Sequence, residues 1–95
     1  MKHCIIAKFG NEVADKKEAA AQVKALFAAA APVEGVTGIA IHENCVARDN
    51  RYDLMIVVEM ARDALGAWDA SEIHHQWKAQ FSGMLASKAI FDYED

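Results

Sequence analysis

Two cysteines, one proline and five glycines are all that this 95-residue chain holds of the residues that cross-link or break a fold. Cys4 and Cys45 have no metal-type spacing and no secretory segment ahead of them. Both fall on expected strands, where a free thiol acts as a small buried hydrophobe. The stretch 4–9 is too short for a signal segment and is interrupted by Lys8. No apolar run approaches the ~20 residues of a membrane span. Positive charge is also scarce: 10 Lys and Arg face 14 Asp and Glu, for a net charge of −4 and a pI near 5.5. That balance argues against nucleic acid and anionic membrane as partners, because both require a basic face. These absences together point to a soluble protein in a reducing, cytoplasmic compartment.

What the chain has in plenty is apolar side chains, 54% of the total. A single domain spanning 1–95 is the expected organisation. A chain this short buries only about 60–65% of the surface that its unfolded form exposes. The apolar excess therefore calls for a partner surface, and a homodimer supplies one.

The order of elements follows from periodicity. KHCIIAKF (residues 2–9) alternates as a strand, with His3, Ile5, Ala7 and Phe9 on one face. Asp15 and Glu18 form a capping-box pair that opens an alanine-rich helix, in which Ala19, Val23, Leu26, Phe27 and Ala30 make one apolar stripe. Pro32 and Gly35 end it. Residues 36–46 alternate again, as does YDLMIVVEM (residues 52–60), which has Leu54, Ile56, Val58 and Met60 on one face and Met55 and Val57 on the other. A strand apolar on both faces should be covered on both, and one layer of helices covers only one. A short helix follows over residues 61–70. Ser71 caps a second helix expected to run to about Ala86, and residues 88–93 close as a strand. Strand, helix, strand, strand, helix, strand is the split βαβ order. It implies an α+β, ferredoxin-like fold: a four-stranded antiparallel sheet with helices on one face, the other being free for a second copy.

Two adjacent histidines near the start of the second helix differ in fate. At about 100° per residue, Ile73, Trp77, Phe81, Met84 and Leu85 share the inward arc. His74 lies at the edge of that arc, while His75 points to solvent. A helix N-terminus disfavours positive charge, and partial burial does the same, so His74 is expected to be neutral and suited to act as a general base. A histidine that simply hydrogen-bonds backbone at a core edge would look the same in sequence. His3, on the inward face of the first strand, is placed to look into the same space, although an N-terminal strand histidine near solvent is an equally ordinary outcome. Trp68, Trp77 and Phe81 would wall such a pocket, or fill it as plain core. No third ligand has metal spacing beside the two histidines, and no cofactor is implied.

From end to end the chain resembles the stress-responsive dimeric α/β-barrel (Dabb) family. The resemblance rests on KHCIIAKFGNEV at the start, PVEGVTGIAIHEN before and through the second strand, RYDLMIVVEM, the Ser71–His74 region and KAIFDYED at the close. It implies a homodimer whose two sheets close into a barrel. Its enzymatic members, polyketide cyclases, imply cofactor-free acid–base chemistry, with His74 as the base and His3 nearby. The match has gaps. Ser71 and Glu72 replace the His-Pro of a His-Pro-x-His motif, Trp68 stands where the cyclases have a tyrosine, and Leu54 where they have a histidine.

Three functions compete at this stage. One is a small enzyme in which His74 deprotonates an apolar, carbonyl-containing molecule oriented by His3, in cyclase- or lyase-like chemistry. Another is a non-catalytic dimer with a ligand-binding or stress role. The third is a cofactor-independent monooxygenase of the same fold, with oxygen as co-substrate. Whether the two tryptophans and Phe81 leave an open cavity at His74 separates the first from the second.

Overall fold

The computed structural model describes residues 1–95. Strand β1 (Lys2–Phe9) leads through a turn to helix α1 (Lys16–Ala28), followed by β2 (Val36–Glu43) and β3 (Leu54–Met60). A 3-10 turn (Arg62–Ala64) runs into the short helix α2 (Leu65–Ala70). Helix α3 (Glu72–Phe81), a second 3-10 turn (Ser82–Met84) and β4 (Leu85–Tyr93) complete the chain. The sheet order is β2-β3-β1-β4, antiparallel throughout. This is the ferredoxin-like arrangement expected from the order of elements.

The strand phases follow the alternation in the sequence. Ile5, Ala7 and Phe9 of β1 and Leu54, Ile56, Val58 and Met60 of β3 are buried beneath the helices. From above, α1 supplies Ala19, Ala20, Val23 and Phe27, α2 supplies Trp68, and α3 supplies Ile73, Trp77 and Phe81. Asp15 caps α1 by accepting a hydrogen bond from the Glu18 amide at 3.0 Å. The box is only half closed, because the Glu18 carboxylate accepts from Gln22 instead of reaching back to the cap. Gly35, at φ +83°, turns the chain into β2 with its Cα hard against Ala64. A side chain is excluded there both by the left-handed backbone and by contact.

Several boundaries differ from expectation: β3 begins at Leu54 and not at Tyr52, and the helix expected over 61–70 opens as a 3-10 turn. Helix α3 stops at Phe81, not near Ala86, and β4 begins at Leu85, ahead of the expected Lys88. Ser82 and Gly83 are poor helix residues, and Leu85 pairs with Phe9 across the sheet while the Gly10 amide donates to the Met84 carbonyl. Strand pairing outcompetes the helical period there. Strand β2 ends at Glu43, because the Asn44 side chain bonds both the amide and the carbonyl of Val46 and turns the chain away. Cys45 therefore lies beyond the strand and is exposed, whereas Cys4 is buried as expected.

The opposite face of the sheet has no helix. By register, Ala40, Met55, Val57, Cys4, Ile6, Ala89 and Phe91 share it. Phe91 is 62% exposed, on a surface otherwise suited to burial. No helix is long and apolar enough to cross a membrane.

Candidate functional site

The junction of α2 and α3 sets the position of His74. Ser71 ends one helix and caps the next: its hydroxyl donates to the Trp68 carbonyl at 2.6 Å and accepts from the His74 amide at 3.3 Å. The His74 ring is thereby turned back along the chain, with Nδ1 3.1 Å from the Asp69 carbonyl. A carbonyl only accepts, so Nδ1 carries the proton and Nε2 keeps its lone pair. His74 is half-buried and His75 exposed, as the helical arc predicts. Burial pushes the His74 pKa below its ordinary value, helped by Lys78 and Lys88 and opposed by the Asp69 carbonyl and carboxylate.

His3 is buried at 6% exposure. Its register partner on β4 is Asp92, and its Nδ1 lies 2.5 Å from Asp92 Oδ1. A carboxylate on Nδ1 fixes the ring and turns Nε2 the other way. Sequence reasoning missed Asp92. Its signal was present in the antiparallel pairing of the first and last strands, which sets residue 3 against residue 92.

Trp68 occupies the ground shared by the two histidines. Its ring lies 6.4 Å from that of His3 and 5.7 Å from that of His74. Aromatic packing continues through Phe27, stacked on Trp68 at 6.3 Å, to Trp77 at 6.0 Å and on to Phe81 at 5.4 Å. Trp68, Trp77 and Phe81 are at most 2% exposed. None of the five main hollows of the surface is lined by His3, His74 or these three aromatics. One irregularity stands out in this packing: the buried indole Nε1 of Trp68 has no hydrogen-bond partner. No group of three His, Cys, Asp or Glu side chains is placed to hold a metal ion.

The arrangement thus offers two imidazoles with defined tautomers, one tied to a carboxylate and one to a carbonyl, separated by a closed aromatic layer. Each retains an Nε2 able to exchange a proton with a partner that reached it.

No family model matches the chain, and no curated protein is similar to it in sequence. Solved structures do match. A dimeric ferredoxin-like protein of unknown function from Thermobifida fusca superposes with a TM-score of 0.78 at 18% identity, over 99% of this chain and 89% of that one. A hydroxynitrile lyase from Passiflora edulis superposes at 0.72 with 7% identity, over 97% and 89% of the two chains. A dabb family protein from Mesorhizobium loti gives 0.72 at 13% identity, over 99% and 94%. At these identities the likeness is one of fold, and the fold is the ferredoxin-like one of that dabb family protein, as the sequence resemblance implied.

Proposed function

We propose that two copies of this chain pack sheet against sheet as a dimeric α/β barrel with a non-catalytic, ligand-binding or stress role. Trp68 carries the non-catalytic part. It is 0% exposed and packs against both imidazoles, filling the ground between them that a substrate held by both would need. The dimer is supported by the uncovered apolar face and by Phe91 projecting from it. The solved relatives described as dimeric have the same fold. Light scattering at micromolar concentration should give the mass of two chains. Val57→Asp, which places a charge in the middle of the face, should split or unfold the dimer; a dimer of unchanged stability would show that another surface is used. Screening apolar carbonyl compounds tests the rest: turnover by the wild type that His74→Ala lacks overturns the non-catalytic reading.

The orphaned Nε1 of Trp68 favours a second reading. A buried donor without a protein acceptor is costly, which makes this indole the wall of the packing that gives up least by moving. With the indole displaced, His74 would serve as base through Nε2, and His3, held by Asp92, would orient an apolar carbonyl-containing substrate. Trp68, Trp77 and Phe81 would be the walls. The chemistry would be cofactor-free and cyclase- or lyase-like; one protein of this fold is described as a hydroxynitrile lyase.

A further inference from the structure

The polar loop between β2 and β3 builds a second candidate site, remote in composition from the histidines. A hollow of about 450 Å³ is lined by Lys8, Phe9, Asn11, Lys16, Arg48, Asp49, Arg51, Asp53 and Ala86. Four cations face two carboxylates there, a local surplus of two positive charges in a chain whose net charge is −4. The Arg51 amide donates to the Arg48 carbonyl at 3.1 Å, closing a β-turn that sets the two arginines at its ends. Neither guanidinium pairs with a carboxylate; the one side-chain bond between them runs from Arg51 to the Asn50 amide oxygen.

The turn is held in place. Lys8 Nζ donates to the Asp49 carbonyl at 2.5 Å, the Asp53 amide donates to the Ala7 carbonyl, and the Asp53 carboxylate accepts from the Phe9 amide at 2.7 Å. Lys16 is the first residue of α1, where the helix dipole repels a cation, while the last turn of α1, which would welcome one, has none; the partly exposed pairing of its Nζ with Asp53 at 4.0 Å offsets only part of this. Local choices that work against the fold tend to mark function.

We propose that this hollow binds a small hydrophilic molecule bearing a phosphate or diphosphate. Paired guanidiniums on a fixed turn suit phosphate oxygens, which they engage through two parallel N–H bonds. The lining has only Phe9 and Ala86 as apolar side chains, so recognition must come from charge and hydrogen bonds, with Asn11 and Asp49 available for hydroxyl groups. Taking the local +2 from the chain's −4 leaves −6 on the rest of the molecule, which disfavours a long polyanion such as nucleic acid. The site lies within one chain and depends on neither the dimer nor the histidines.

The test is an amide-resolved NMR titration of the whole protein at low ionic strength with pyrophosphate, inorganic phosphate and citrate. Saturable shifts confined to residues 8–11, 16 and 47–53 are expected, with pyrophosphate tighter than phosphate and both weakened by added salt. Arg48→Ala with Arg51→Ala should weaken pyrophosphate binding about tenfold or more. Lys16→Gln should weaken it while leaving the melting temperature unchanged or higher, a combination that a purely structural lysine would not give. No saturable shift with either phosphate probe, or equal affinity in the double variant, overturns the proposal. Citrate binding as tightly as pyrophosphate overturns the assignment to phosphate.

Discussion

Replacing Trp68 with alanine tests the packing on which the functional reading depends. The indole is fully buried, stacked on Phe27 and in contact with both imidazoles. A tryptophan buries on the order of 200 Å², which at roughly 25 cal/mol/Å² corresponds to about 5 kcal/mol of transfer free energy. Alanine keeps a small part of this. Removing the unpartnered Nε1–H returns about 1–3 kcal/mol, since a buried orphan donor already burdens the native state. The cavity left behind adds a loss. The balance is a destabilisation of about 3 kcal/mol, a large share of the roughly 5–14 kcal/mol expected for a domain of this length. Urea unfolding followed by circular dichroism, at one fixed protein concentration because the dimer couples to folding, should show the midpoint falling by about 1.5–3 M at a slope of about 1–2 kcal/mol/M. Trp68→Phe keeps most of the ring and has no N–H, so it should lose about 1 kcal/mol or less. Added indole should restore part of the stability of Trp68→Ala by entering the dry cavity. A loss below about 1 kcal/mol in Trp68→Ala would refute the reasoning. It would mean that the indole is a movable wall over space already available, and the acid–base reading would take precedence.

Two further outcomes follow from the geometry. The His74 imidazole should titrate below its ordinary value of 6.5 by NMR, because burial disfavours its charged form. The unfolded chain then binds the proton more readily than the folded one, so His74 contributes stability that is present above pH ~6.5 and lost as pH falls toward its depressed native pKa; a His74→Gln variant with an unchanged pH–stability slope in that window would contradict this. Gly35→Ala should destabilise by about 2–3 kcal/mol, since the new Cβ would need a left-handed backbone and would sit 2.5 Å from the Ala64 Cβ. A melting curve unchanged by that substitution would show that the turn adapts.

Much of this was legible in the chain because it depends on period. The burial of Ile5, Ala7 and Phe9, the two apolar faces of β3, and the different fates of His74 and His75 all follow from counting residues along a strand or helix. Where two local signals compete, counting fails. Met84 and Leu85 sit on the helical arc of α3, yet the pairing of Leu85 with Phe9 claims that segment for the sheet. Likewise the alternation of residues 36–46 continues past Glu43, but a side-chain turn at Asn44 ends the strand. Side-chain chemistry set by distant pairing was less visible still, and Asp92 became a partner for His3 only once the register was known.

The hardest matter to read was volume. Two histidines facing inward and three aromatics nearby describe a pocket and a filled core equally well, because sequence gives direction but not occupancy. Here occupancy is decided by Trp68, which is fully buried between the two imidazoles. An indole is larger than a phenol, and its one polar atom is a donor without accepting capacity. A phenol at that place could both donate and accept, and could mediate a proton between the histidines. The indole can do neither in its present setting, where its Nε1 meets no acceptor. One residue therefore changes both the space and the proton chemistry, and in the same direction. Trp68→Phe and Trp68→Tyr together separate these two effects: both return volume, only the tyrosine adds a hydroxyl, and His3–Asp92 and His74–Asp69 stay as they are. If closure by Trp68 is what keeps ligands from the two imidazoles, both variants should bind an apolar carbonyl compound more tightly than the wild type, seen as shifts at the His3 and His74 rings, and Trp68→Tyr more tightly than Trp68→Phe if the hydroxyl contributes. Absence of any such gain in folded dimers of both would show that closure by Trp68 is not what keeps ligands out.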